Sequence, residues 1–179
     1  MYSPERYVDA MRFAAAAHNA QKEPGHELPY LVHVVSVAAE VIAALPAMNG
    51  IDADLAVTCA LLHDTVEDTK VTLDEIRARY GDAVAAGVSA LTKNQKLETK
   101  PEQMADSLRR IKEQPREIAI VKLADRITNL SEPPHYWTKE KCAAYRLEAG
   151  LIADTLGYAC PVLEARLRAR IAAYVQYCQ

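Results

Sequence analysis

The stretch ALLHDTVEDT, residues 60–69, sets His63, Asp64, Glu67 and Asp68 directly after an apolar run that ends at Leu62. On a helix, residues three and four apart are neighbours, so His63 would lie beside Glu67, and Asp64 beside both Glu67 and Asp68. Adjacent residues diverge by roughly 100° around a helix, yet near a helix end two such side chains can converge on one ion. A solvated acidic helix end has the same composition. Two further ligand types interrupt apolar helical patterns elsewhere, His33 within YLVHVVSVAA and Asp125 within IAIVKLADRITNL. A carboxylate in such surroundings needs a counter-charge or a metal, because desolvating it alone is costly. Lys122 or Arg126 would serve Asp125 as an ion-pair partner, and a hydrogen-bonded core histidine is the ordinary reading of His33 alone. Taken together, His33, His63, Asp64 and Asp125 favour a metal site.

Two imidazoles and two carboxylates leave one or two places for water in an octahedral shell. That donor set suits Mn²⁺, Fe²⁺ or Zn²⁺ and points away from the all-oxygen shells of Ca²⁺ and Mg²⁺. An ion so held lowers the pKa of its water and makes hydroxide available near neutral pH. Glu67 and Asp68, just outside the ligand set, are candidates to orient that water or to take its proton.

The elements that must position these groups read as helices throughout. Ser3-Pro4-Glu5 is an N-cap, a first-turn proline and an acidic residue, and good helix formers follow up to the loop EPGHELP. A second helix, about Tyr30 to Leu45, carries His33 and breaks at Pro46; Asp52 can cap a third that runs through ADLAVTCALLHDTVE. Thr72 and Glu75 form a capping-box pattern, Tyr80-Gly81 a helix stop, and Asp82 can start the next helix. The polar segment KNQKLETKPEQ reads as a mobile loop, after which helices are expected at about 102–113, 116–130, 138–157 and 161–177. Nothing alternates in the manner of a strand. The expected fold is an all-α compact bundle of about eight to ten helices in one domain, residues 1–179.

With 21 Lys and Arg against 24 Asp and Glu, the net charge of −3 argues against a nucleic-acid or anionic-membrane surface while leaving room for a local basic pocket. Cys59, Cys142, Cys160 and Cys178 have no metal-ribbon spacing and read as reduced thiols of a cytoplasmic protein. No secretory signal opens the chain, and its most apolar segment is interrupted by Glu40 and Pro46 and too short for a membrane span.

LPYLVHVVSVA, ALLHDTVEDTKVTLDEIRARYG, VSALTK and VKLADRITNL occur in that order. In this the chain resembles the HD-domain phosphohydrolases, most closely the hydrolase part of RelA/SpoT-type enzymes and the stand-alone small alarmone hydrolases. The resemblance covers most of the chain to about Tyr145. It implies His33, His63, Asp64 and Asp125 as metal ligands, with manganese the usual ion, and Glu67 and Asp68 as the water-activating pair. It implies removal of the 3′-pyrophosphate from guanosine tetra- or pentaphosphate, (p)ppGpp, or from an adenosine analogue such as (p)ppApp. Asn129 matches a family position near the substrate, Lys141 and Tyr145 match positions bordering the nucleotide pocket, and Thr92-Lys93 corresponds to the family's T-K segment, with Lys93 expected to bind substrate from a polar loop whose Lys93, Lys96 and Lys100 could close over phosphates. At 179 residues, a dedicated hydrolase is the expected role.

Two departures stand out. Where the family has an Arg-Lys pair after the first helix and a His-Pro at the first ligand, this chain has Gln21-Lys22 and His33-Val34. Gln21 removes a bidentate phosphate contact and leaves Lys22 as the expected substrate-binding cation. The same metal site would also serve another phosphate ester, such as a nucleoside monophosphate or NADPH, and a regulator that binds nucleotide without turnover is the alternative outside hydrolase chemistry. The base and the oligomeric state have no motif in this sequence.

Overall fold

The computed structural model describes residues 2–179, and among them ten α-helices and no strand. Helix α1 (Pro4–Ala17) starts at Ser3, whose hydroxyl accepts from the Arg6 amide. Helix α2 (Leu31–Ala44) ends in a 3₁₀ turn at Pro46. Asp52 caps α3 (Ala53–Leu62) by accepting from the Leu55 amide at 3.0 Å. Helix α3 is buried along its whole length, so it forms the axis of the bundle, with α1, α2 and α8 packed around it.

One expectation fails at the most informative place. The helix through ADLAVTCALLHDTVE is not continuous: α3 stops at Leu62, His63 and Asp64 form a corner, and α4 (Thr65–Asp68) is a separate turn. The Thr65 hydroxyl donates to the Leu62 carbonyl at 2.7 Å, satisfying a group that the broken helix leaves open. The corner explains how adjacent residues come to face one point.

Helix α5 (Leu73–Tyr80) has the expected Thr72/Glu75 capping box and ends at Gly81, whose φ of 90° is a conformation that a side chain would strain. Helix α6 (Asp82–Leu91) crosses so close to its neighbours that a Cβ on Gly87 would lie 2.5 Å from Ile118 Cδ1 and 2.9 Å from Cys59 Sγ. The polar segment after α6 is shorter than expected. A second capping box, Thr99 with Glu102, starts α7 (Lys100–Lys112) within it, a pattern legible in T-x-x-E but overlooked among the lysines.

Helix α8 (Arg116–Asn129) carries Asp125 and is buried from Glu117 to Ile127. Helices α9 (Lys139–Leu156) and α10 (Pro161–Ala173) complete the bundle, α10 being followed by a 3₁₀ turn to Tyr177. All four cysteines are free thiols. No helix among the described residues is long and apolar enough to cross a membrane.

Candidate metal centre and substrate cavity

Three elements bring the ligand types together: α2 supplies His33, the α3–α4 corner supplies His63 and Asp64, and α8 supplies Asp125. His33, His63 and Asp64 each offer an atom within 4.8 Å of the others. Asp125 Oδ1 lies 3.5 Å from His33 Nε2 and 3.8 Å from His63 Nε2. Only His63 and Asp64 are neighbours in the chain; helix packing brings His33 and Asp125 to them.

The donor chemistry fits a metal. His63 Nδ1 lies 2.8 Å from the Ala60 carbonyl, which can only accept, so Nδ1 carries the proton and Nε2 presents its lone pair to the site. That Nε2 is buried without a hydrogen-bonding partner, although Asp64 Oδ2 is 2.9 Å away. Two acceptors so close call for a cation, and a divalent ion would be held by His33, His63, Asp64 and Asp125. Without one, protons do part of this work. Burial opposes a charged His63, yet Asp64 and Asp125 hold it well above its ordinary value, and His33 is raised in the same way. Burial would raise both carboxyls, but the histidines and, for Asp125, Lys122 hold them well below the usual range.

Each ligand has its own support. The Tyr30 hydroxyl donates to Asp64 Oδ2 at 2.6 Å, and its ring packs 5.2 Å from that of His33. Burial and the Asp64 charge push the Tyr30 phenol upward, so it remains a donor. Asp125 is both ion-paired and aimed at the site: Lys122 donates to Oδ2 at 2.9 Å, and the Asn129 amide donates to the Oδ1 that faces the histidines. Arg126, the other conceivable partner of Asp125, instead pairs with Glu148 and lies over the Tyr145 ring, 4.0 Å from its centroid.

Two cavities meet at the cluster. One, of about 470 Å³, has Asp64, Glu67, Asp68 and Asp125 in its wall together with Lys93, Lys100, Lys122 and Lys141. The other, of about 550 Å³, has His33 in its wall with Glu23, Glu40, Glu132 and Arg170. Tyr30, Asn129, Trp137 and Tyr145 border both. Both signs of charge thus line the first cavity, with Lys93 paired to Glu67 and Lys122 to Asp125.

The expected substrate-binding residues divide. Lys141 lies 4.1 Å above the Trp137 ring at the first cavity, and Tyr145, its phenol pushed up to about 12 by burial, stands between the two. Asn129 borders both cavities but spends its amide on Asp125. Lys93 is held by Glu67: its backbone amide donates to Oε2 at 2.8 Å and its ammonium to Oε1 at 2.9 Å. The structure does not bring Lys22 to the cluster. It pairs with Glu27 at the surface and lies outside the walls of both cavities, because the loop that follows α1 folds back on itself through a Lys22–Pro29 bridge. Tyr30 was missed by sequence reasoning, although its place three residues before His33 is a helical neighbour's spacing.

A family model for the HD domain matches residues 10–158. A guanosine-3′,5′-bis(diphosphate) 3′-pyrophosphohydrolase of Aquifex aeolicus is 39% identical over 130 residues, which are 70% of this chain and 17% of that protein. The human enzyme of that name, MESH1, is 32% identical over 143 residues, 77% of each chain. A solved structure described as a metazoan ortholog of SpoT that hydrolyzes ppGpp superposes with a TM-score of 0.82 at 25% identity, covering 97% of both chains. The family model spans most of the chain, which carries its His/Asp cluster within that span, and the chain belongs to the HD-domain family.

Proposed function

We propose that this protein is a metal-dependent 3′-pyrophosphohydrolase acting on (p)ppGpp, with Mn²⁺ as its ion and with (p)ppApp as a second substrate. The observation that carries this is the lone-pair nitrogen of His63, buried and unpartnered beside Asp64, a carboxylate that itself lines a cavity bordered by four lysines. The likeness to enzymes named for that reaction along most of the chain selects the substrate class.

Bound among His33, His63, Asp64 and Asp125, the ion supplies Lewis acidity toward water and a phosphoryl oxygen. The remaining work belongs to side chains. Glu67 and Asp68, on the turn that follows Asp64, take the proton of the attacking water and hold its direction. Lys93 keeps Glu67 aimed by gripping both of its oxygens. The 3′-pyrophosphate carries excess negative charge toward the carboxylates of the cavity, and Lys141 and Lys100, which line the same cavity, offset that repulsion. Trp137 and Tyr145 offer flat apolar faces to the nucleoside. The water oxygen bonds to the 3′-linked phosphorus as the bond from that phosphorus to the ribose O3′ breaks, and O3′ takes up the proton that the water gave up, so that pyrophosphate and the 5′-phosphorylated nucleoside with a free 3′-hydroxyl are released.

The test is a substrate panel with Mn²⁺-loaded protein: 3′-pyrophosphorylated guanosine and adenosine nucleotides, nucleoside monophosphates and NADPH, with the phosphorus product identified. Pyrophosphate from the guanosine substrate is expected. Orthophosphate from a monophosphate or NADPH, with the alarmones untouched, would replace this reading by that of another phosphatase.

A further inference from the structure

The departure at Gln21 has a structural counterpart away from the substrate. Gln21 Nε2 donates to Asp68 Oδ2 at 3.1 Å, and Gln21 Oε1 lies 2.7 Å from His18 Nδ1. The directions in this chain are forced. A carboxylate accepts, so the amide nitrogen faces Asp68; the amide oxygen then faces His18 and accepts, so His18 Nδ1 is the protonated nitrogen. His18 is the anchor, only 3% exposed at the C-cap of α1, with its ring 4.9 Å from that of Tyr30. Tyr30 in turn holds Asp64, and its backbone amide donates to the Gln21 carbonyl at 2.9 Å.

Asp68 needs such a guide. It is solvent-exposed and borders two spaces, the lysine-walled cavity at the metal cluster and an outer hollow of about 590 Å³ shared with His18, Gln21, Lys70 and Glu75. A free carboxylate there would have water to turn toward on either side. With Oδ2 taken from the outer side by Gln21, Oδ1 is the oxygen left for the reaction.

We propose that His18 and Gln21 are positioning residues for the hydrolysis: the buried imidazole orients the Gln21 amide, which orients Asp68 toward the attacking water. This rests on the role given to Asp68 above. In this chain Gln21 is not a weakened phosphate ligand but the middle of a hydrogen-bonded relay, and an arginine in its place would pair with Asp68 instead of merely aiming it.

The experiment measures kcat and KM for guanosine 3′,5′-bis(diphosphate) with Mn²⁺-loaded variants, alongside metal content and thermal stability. His18→Phe keeps an aromatic ring against Tyr30 and removes the donor; kcat should fall about tenfold with KM changed by less than about twofold and metal content unchanged. His18→Asn returns an N–H near the position of Nδ1 and should recover most of the loss, which a purely structural histidine would not do. Gln21→Met, at a partly exposed site that does not threaten the core, should match His18→Phe, and the double variant should be no worse than either single one because both cut one chain. Should His18→Phe fail to fold, Gln21→Met decides. Wild-type kcat in Gln21→Met while Asp68→Asn is inactive would overturn the relay and leave the role of Asp68 standing. Wild-type kcat in Asp68→Asn would overturn both.

Discussion

Replacing Lys122 by Met tests the metal assignment without any assay of turnover. Lys122 Nζ donates to Asp125 Oδ2 at 2.9 Å, and both side chains are less than a tenth exposed. Met fills the volume of the lysine stem but leaves a buried carboxylate without its counter-charge. Breaking such a pair costs 3–5 kcal/mol in general, and the low end, about 3 kcal/mol, applies here because Asn129 still donates to Oδ1. For a domain of this size that is a fall in Tm of about 6–12 °C in the ion-free protein. A divalent ion changes the sum. If Asp125 is a ligand, the ion supplies the missing positive charge, so the Mn²⁺-loaded variant should lose at most about half as much as the chelated one. Thermal unfolding followed by circular dichroism, for wild type and variant with chelator and with Mn²⁺, gives all four numbers. An equal loss in both forms would refute the reasoning: Asp125 would then be a carboxylate paired to Lys122 alone, and the site would have three ligands from two elements.

The other expectations concern the roles of neighbouring groups. Glu67→Gln should keep its metal and lose at least about a hundredfold in kcat, since only proton handling is removed; elemental analysis with steady-state kinetics checks both halves. Lys141→Ala should raise KM about tenfold through loss of a charged contact, whereas Lys22→Ala, paired with Glu27 outside the cavity walls, should leave KM within about twofold. A large KM effect at Lys22 would show that the loop after α1 closes over the substrate. In the ion-free protein the raised values of His33 and His63 mean that their ion pairs contribute fully below the ordinary imidazole value of 6.5 and are lost as pH rises through the raised ones. Over that same interval the metal should bind more tightly because it no longer competes with protons; calorimetric titration at several pH values should show proton release, and an affinity independent of pH would contradict it.

Much of the scaffold was legible before any coordinates. Ser3, Asp52 and the Thr72/Glu75 box are local signals, read from residues that satisfy helix ends within a few positions, and the structure uses each of them as expected. The candidate ligands were legible for a related reason: His33 and Asp125 stand in runs too apolar to tolerate an idle polar group. What lay beyond the sequence depends on contacts between residues far apart in the chain. A continuous helix through His63 and Asp64 would have been locally sound, and the break there answers to the packing of α3 against α2 and α8, which must leave both side chains facing Asp125. Lys93 and Glu67 were read as separate agents, one for substrate and one for water, and are 26 positions apart; only the tertiary contact between the segment after α6 and the α4 turn joins them. Lys22 was placed by motif position, but a cation's work is set by where its loop folds, and that loop closes on itself. Gln21 looked like a loss until tertiary contact put a carboxylate on one side of its amide and a buried imidazole on the other. Residue types state which interactions a chain is able to make, while distances between remote helices, set by the packing of the core, choose among them.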